Sequence, residues 1–236
     1  MNPLLRNSAL AAVFGLTLVA CSSNPASKAT EASTTPVASA SPAGNKQMMD
    51  HSQMGGMSQM GGMGGGMTSM DLGPADAQYD LRFIDAMTPH HQGATEMAQD
   101  ALKKSQRPEI KQLARNIIAD QNREINQMKQ WRQAWYPKAS NTPIAYDAQM
   151  GHSMAMSQSQ TQGMMMNGDL GPANAQYDLR FINMMIPHHQ GAIVMAKGAL
   201  NKSWRPEIKR LAQSIITSQQ REIDQMKQWR TLWYQQ

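Results

Sequence analysis

The chain has 236 residues and a net charge of +5, and 22 of its residues are methionine against a single cysteine. This length allows one or two domains, and one cysteine excludes a scaffold held by internal disulfides. The positive charge does not indicate a nucleic-acid partner, because the basic residues form no dense block and do not alternate with aromatic residues. No apolar run approaches the roughly 20 residues that an ordinary membrane-spanning helix needs.

Residues 1–20 have the pattern of a secretory signal peptide. Arg6 supplies a positive start, a short apolar stretch follows, and small residues precede Cys21. The tetrapeptide LVAC that ends at Cys21 is similar to a bacterial lipobox, which predicts a lipid anchor on Cys21. Ordinary cleavage near Ala20 is the alternative. Both alternatives predict an exported protein, located in the periplasm or cell envelope or released outside the cell. A lipid anchor on Cys21 is the one membrane contact that the sequence predicts.

Two segments are rich in methionine and have no apolar period. Residues 21–70 combine Met with Ser, Ala and Gly, and we expect them to be disordered. Residues 137–168 have a similar composition and are expected to form a disordered linker. Flexible, thioether-rich chains can wrap a soft metal ion, since glycine restricts the backbone little. The candidate ligands in these two segments are Met49, His51, Met54, His152, Met154 and Met156.

A segment of 66 residues is written twice in the chain. Residues 71–136 align without a gap with 169–234 at an offset of 98, and 47 of the 66 positions are identical. A lone amphipathic hairpin would expose its apolar face, so two such units predict one core with a pseudo-twofold axis. The expected fold is therefore all-α, a ferritin-like four-helix bundle built from helical hairpins over 71–136 and 169–236.

Each copy contains the signals of two helices. In the first copy these helices are predicted over 77–104 and 108–135. Asp76 is a suitable N-cap, and Pro89 predicts a kink because it removes a backbone donor. Pro108, with an acidic residue after it, is a preferred start for the second helix.

Polar side chains lie on the apolar faces of these helices, at 100° per residue. On the first helix the inward set is Met87, His90, His91 and Met97 in one copy, and Met184, Met185, His188, His189 and Met195 in the other. On the second helix it is Gln121, Glu124 and Met128, with Gln219, Glu222 and Met226 as equivalents. Buried amides and carboxylates need partners, and a metal-bound imidazole usually donates its second N–H to such a group. We therefore expect the histidines and methionines to ligate a metal and the four Gln and Glu residues to support them. The alternative is a set of satisfied core polar residues that fixes the helix register, with methionine as filler.

The ligand types indicate which metal. Thioethers and imidazoles together select Cu(I), with Ag(I) as a surrogate, over zinc or hard cations. The di-iron bundle pattern needs Glu-x-x-His on a helix, and this spacing does not occur in the chain. Ferroxidase-type chemistry is therefore disfavoured.

The motif PHHQGA followed by Met-Ala, with a later helix ending in QxxEIxxMxxW, resembles the ferritin-like DUF305 family. Within that family the chain resembles the CopM-type proteins, which are exported bacterial copper-binding proteins associated with copper tolerance. The resemblance implies a helical bundle and copper binding by Met and His, and the copper-binding role that we predict needs no catalytic turnover. Carried over by motif position, it implies the ligands Met87, His90, His91, Met97, Met185, His188, His189 and Met195. Ala86 stands where the second copy has Met184, which departs from symmetry.

These patterns predict an exported protein that sequesters or buffers Cu(I), with a copper exporter or another copper-handling protein as a further partner. Two other classes stay open. One is an enzyme, a ferritin-like metal oxidase or a copper reductase. The other is a helical bundle whose methionine-rich surface docks a partner chain.

Overall fold

The computed structural model describes residues 70–236. The predicted signal peptide, the Cys21 anchor, and the candidate ligands Met49, His51 and Met54 lie outside the described residues. Within the described part of the chain, no helix is both long and apolar enough to cross a membrane.

The described chain is mostly helical, as expected, with one small sheet that was not predicted. The helices are α1 Tyr79–Lys104, α2 Pro108–Trp135, α3 Gln158–Met165, α4 Tyr177–Lys202 and α5 Pro206–Tyr234. Strands β1 Ile144–Asp147 and β2 His152–Ala155 form an antiparallel pair in which Ile144 lies opposite Ala155. The first repeat thus forms the hairpin α1–α2 and the second the hairpin α4–α5.

The start of α1 differs from the prediction. Gln78 is the N-cap residue and makes no side-chain capping bond. Asp76 lies two residues earlier, where its carboxylate accepts the N–H of Gln78 at 2.9 Å and its carbonyl accepts the N–H of Tyr79. Asp76 therefore stabilises a turn that precedes the helix rather than capping the helix itself. Helix α1 continues through Pro89, and Pro108 begins α2 as expected.

The linker over 137–168 is not disordered, which corrects the prediction. Strands β1 and β2 and helix α3 lie within it, and a complete capping box of Ser157 and Gln160 begins α3. Contacts with α1 hold this segment: the Asp85 carboxylate accepts the N–H of Ile144 at 3.0 Å, and the buried guanidinium of Arg82 donates to Ser153 at 2.8 Å. The composition of the segment predicts disorder because it contains little apolar surface of its own. The contacts that order it come from residues about 60–70 positions away, which composition does not report.

The two hairpins share two buried clusters, and each cluster contains residues of both repeats. Tyr79 at the start of α1 packs with Ala199 near the end of α4, while Tyr177 at the start of α4 donates to Asp100 near the end of α1. Helices α1 and α4 therefore run antiparallel against each other. Their midpoints, where the two Pro-His-His sequences lie, meet at the pseudo-twofold axis.

Matched cation–π contacts join the hairpins at their ends. The guanidinium of Arg205 lies 4.1 Å from the ring centroid of Trp135, and that of Arg107 lies 4.1 Å from Trp233. Each arginine begins one hairpin's second helix and reaches the last turns of the other's. These pairs hold the two repeats in one register and so fix how the central histidines approach each other.

Candidate metal site

Four histidines meet where α1 crosses α4. The rings of His90 and His188 lie 3.9 Å apart between centroids. His91 and His189 flank them, each with its centroid a little over 6 Å from that of its neighbour in sequence. All four side chains are buried, with exposures of 1% or less. The predicted inward orientation of both His-His pairs agrees with this burial.

Two of the histidines are held by carboxylates of the partner helix in their own hairpin. Nε2 of His91 lies 2.7 Å from Oε2 of Glu124, and Nε2 of His189 lies 2.7 Å from Oε2 of Glu222. A carboxylate only accepts, so Nε2–H is the donor in each pair. Nδ1 is then left with its lone pair, and in both residues this atom is buried and has no protein partner. This is the arrangement by which a carboxylate orients a histidine that ligates a metal.

Burial keeps the two central rings neutral. Desolvation is the largest cause that lowers the pKa of His90 well below 6.5, with the nearby His188 second. Desolvation likewise lowers the pKa of His188 to about 3, assisted by His189. A neutral imidazole has a lone pair to donate, so both rings are in the metal-binding form at neutral pH without having to release a proton.

The buried thioethers of the four long helices fall into the two buried clusters. One cluster contains Met87, Met128 and Met195, and the other contains Met97, Met185 and Met226. The repeat relates these two sets to each other. Each set combines methionines of both hairpins, whereas the sequence grouped Met87 with Met97 and Met185 with Met195. Antiparallel packing of α1 on α4 is the reason, because it brings the start of one helix beside the end of the other.

The other predicted ligands are dispersed. Met184 is only half-buried against the second cluster, and Met156 is buried in the first. His152 and Met154 are exposed on β2, and Nδ1 of His152 lies 3.1 Å from the carbonyl of Met150. The structure does not bring these two residues to the central histidines.

Gln121 and Gln219 do not pair with a histidine. Both side chains are buried, and the side-chain oxygen of each has no protein partner, nor has the amide nitrogen of Gln121. The expectation that glutamine and glutamate both hold a histidine is therefore correct for Glu124 and Glu222 only. Gln121 and Gln219 lie one turn before the glutamates, too far along the helix axis to share the same ring.

Sequence reasoning missed the part of the linker that covers the histidines. The carbonyl of Met165, at the end of α3, lies 2.9 Å from Nε2 of His188. A methyl group built at Gly191 would lie 3.1 Å from Nε2 of His90, 3.4 Å from Sδ of Met166 and 3.4 Å from Cε of Met70. The sequence contains two usable signals, the capping box that begins α3 and the run Met164–Met166 that ends it. Neither signal specifies where the segment packs.

The buried side chains that could bind a metal ion in this interior include methionine sulfurs as well as histidine nitrogens. Among residues 70–236, no group of three or more His, Cys, Asp or Glu side chains is placed to hold a metal ion. The buried donors that the described residues bring together here are imidazole nitrogens and thioethers, and such a donor set fits Cu(I) and Ag(I) rather than zinc or a hard cation. The fold and this interior define a class: a repeated helical hairpin that encloses histidine and methionine.

The chain belongs to the family described as a domain of unknown function, DUF305. The family matches residues 22–132 and again residues 80–230, which together span both repeats.

Several solved structures are similar to this chain. CopM in the Cu(II)-bound form is 47% identical with a TM-score of 0.52, and the match covers 66% of this chain and 97% of that one. CopM in the Cu(I)-bound form is 44% identical with a TM-score of 0.50, and a Ag-bound form is 42% identical with a TM-score of 0.52, both at the same coverage. An uncharacterized protein of Acanthamoeba polyphaga mimivirus is 51% identical over 49 residues, which are 21% of this chain and 32% of that protein. The chain thus spans about a third of the length of this curated relative. These CopM structures contain bound copper or silver, in agreement with the expectation of a metal-binding protein rather than an enzyme.

Proposed function

We propose that the protein is an exported copper-binding protein that holds Cu(I) on buried histidine and methionine side chains, with Ag(I) as a surrogate. It sequesters or buffers the ion and so contributes to copper tolerance. The two hairpins act together as a ferritin-like four-helix bundle whose interior is the binding compartment.

The main support is a set of five histidine ring nitrogens that are buried and have no protein partner. They are Nδ1 and Nε2 of His90 and Nδ1 of His91, His188 and His189. An unsatisfied buried polar atom costs about 1–3 kcal/mol, so a fold that keeps five of them at one place needs a compensating interaction. A soft metal ion that accepts the one lone pair of each neutral ring supplies it.

The donor set is consistent with the reduced ion. Each half of the interior offers a carboxylate-oriented Nδ1 and a cluster of three thioethers, related by the repeat. Neutral sulfur and nitrogen donors in an apolar shell favour a singly charged soft ion over a doubly charged one, because the burial of net charge is smaller. CopM has been solved with Cu(I) and with Ag bound, which agrees with this chemistry, and it has also been solved with Cu(II) bound.

The other parts of the chain fit capture and export. The signal pattern over 1–20 and the lipobox-like LVAC ending at Cys21 are consistent with a lipoprotein of the cell envelope. His152 and Met154 are exposed soft donors from which an ion could pass to the interior, and the sequence adds further soft donors at Met49, His51 and Met54. A copper exporter or another copper-handling protein is the expected protein partner.

Anaerobic titration of the metal-free protein with Cu(I), against a chromophoric chelator, tests the proposal. Replacing His90, His91, His188 and His189 together with Leu keeps the interior apolar and filled, and this variant should lose the tightly bound copper. The matched control is His152→Ala, which removes an exposed histidine of β2 and should retain it.

Helical circular dichroism of both variants checks that the fold persists. Equal copper binding by the wild type and the four-histidine variant would refute the interior site. If the variant retains copper and loses it only when methionines of residues 21–70 and 137–168 are replaced, binding belongs to those segments instead.

A further inference from the structure

We propose that the linker completes one asymmetric soft-metal site at the centre of the protein, formed by Nε2 of His90 and the thioethers of Met166 and Met70. The equivalent position at His188 is closed to metal by the same linker. This inference rests on the proposed copper-binding function and specifies where one ion binds.

Three donors converge on the space above Gly191. Nε2 of His90, Sδ of Met166 and Cε of Met70 all lie within 3.5 Å of the point where a Cβ of residue 191 would be. For Met70 the near atom is the methyl carbon Cε, which is bonded directly to the sulfur, so a rotation about the last side-chain bonds turns the thioether of Met70 towards the same space. One imidazole and two thioethers form a three-donor set suited to Cu(I) or Ag(I).

Nε2 of His90 makes no hydrogen bond within the protein. The ring is completely buried, and neither of its nitrogens has a protein partner. His90 is therefore the one histidine of the four without a hydrogen bond from either nitrogen. The atom faces sulfur rather than an acceptor, which is costly for an imidazole alone and favourable once an ion lies between them.

His188 has the same sequence context but a different environment. Its Nε2–H donates to the carbonyl of Met165 at 2.9 Å, so this nitrogen has no lone pair for a metal. The carbonyl also occupies the space beside Gly93, the counterpart of Gly191 in the first repeat. The end of α3 therefore fills one of two equivalent positions with backbone and supplies a sulfur to the other.

The backbone at the end of α3 is adapted to this placement. Met166 has φ 45° and ψ 29°, in the left-handed region, where a side chain other than glycine costs about 1–2 kcal/mol. Its N–H donates to Gly163, which ends the helix at this residue. Glycine or asparagine would adopt this conformation with less strain, but neither would bring a thioether to His90.

The test compares two methionines of the same segment. Met166→Leu removes the sulfur but keeps volume and backbone strain, whereas Met164→Leu alters a buried methionine that does not contact the Gly191 space. Both proteins, with the wild type, are titrated with Cu(I) and separately with Ag(I) against a competing ligand. We expect Met166→Leu and Met70→Leu to weaken one site at least tenfold while Met164→Leu leaves every site intact.

The two central histidines are compared in the same way. His90→Leu should remove one equivalent of metal, and His188→Leu should leave that equivalent in place. Equal effects of Met166→Leu and Met164→Leu, or loss of the equivalent in His188→Leu but not in His90→Leu, would overturn this site while copper binding by the rest of the interior stands. A wild type that binds no copper in its interior would overturn the proposed function and this site together.

Discussion

Replacing Glu222 with Gln should weaken one interior copper site without unfolding the protein. The Glu222 carboxylate accepts Nε2–H of His189 at 2.7 Å, while Nδ1 of that ring is buried and unpartnered. The carboxylate raises the electron density of the ring and holds Nδ1 towards the interior. The amide of Gln has the same shape, so it can still accept the N–H, but it has no charge.

The expected loss is 10- to 100-fold in affinity, about 1.4–2.8 kcal/mol, as is typical when a group that orients a ligand is replaced. Glu222 has 16% of its side chain exposed, so its charge is only weakly screened and the upper part of this range is favoured. Glu124→Gln is the repeat-related variant and should give a similar loss, because His91 has the same 2.7 Å contact.

The assay is Cu(I) competition titration of wild type, Glu222→Gln and the control Glu207→Gln. Glu207 begins α5 and forms only an exposed ion pair at 3.7 Å. An unchanged affinity in Glu222→Gln, or an equal loss in the control, would show that His189 is not a ligand oriented by this carboxylate. The reasoning from the unpartnered Nδ1 would then be wrong.

Three further results are expected. Burial lowers the pKa of His188 to about 3, so the unfolded state binds more protons than the folded state between about pH 6.5 and pH 3. The metal-free protein should therefore lose up to about 1.4 kcal/mol per pH unit from this ring as pH falls through that window. Burial also lowers the pKa of His90, which adds a loss of the same sign below about pH 6.5. Urea unfolding at several pH values measures this loss. If the free energy of unfolding of His188→Leu changes with pH as steeply as that of the wild type, the prediction is contradicted. Asp85→Ala removes a 3%-exposed carboxylate that accepts from an arginine of α2 and from a linker N–H, so it should lower the free energy of unfolding by about 3–5 kcal/mol and expose the linker to protease. A rate of linker cleavage equal to wild type would argue against that anchor. Gly93→Ala places a methyl group against the backbone of α3 and should cost about 1–3 kcal/mol in unfolding experiments, whereas Gly163→Ala, which meets no atom within 4 Å, should not.

The sequence by itself determined the repeat, the four long helices and the inward faces of the histidine pairs. These features follow from local rules: the 3.6-residue period decides which side chains share a face, and Pro108 and its counterpart in the second copy fix where the second helices begin. The sequence also allowed the pairing of Glu124 with His91 to be predicted, since both residues lie on inward faces of one hairpin. The ligand types predicted a soft metal without any knowledge of distances.

Only the tertiary structure decided which donors meet. Antiparallel packing of α1 on α4 places Met87 with Met195, so each thioether cluster is shared between repeats. The linker showed no apolar period, and its order depends on Asp85 and Arg82 of the distant helix α1. Because the linker packs over His90 and His188, the two identical Pro-His-His sequences have different neighbours: a backbone carbonyl at His188 and a thioether at His90. Such contacts join residues far apart in the chain, and local periodicity has no information about them.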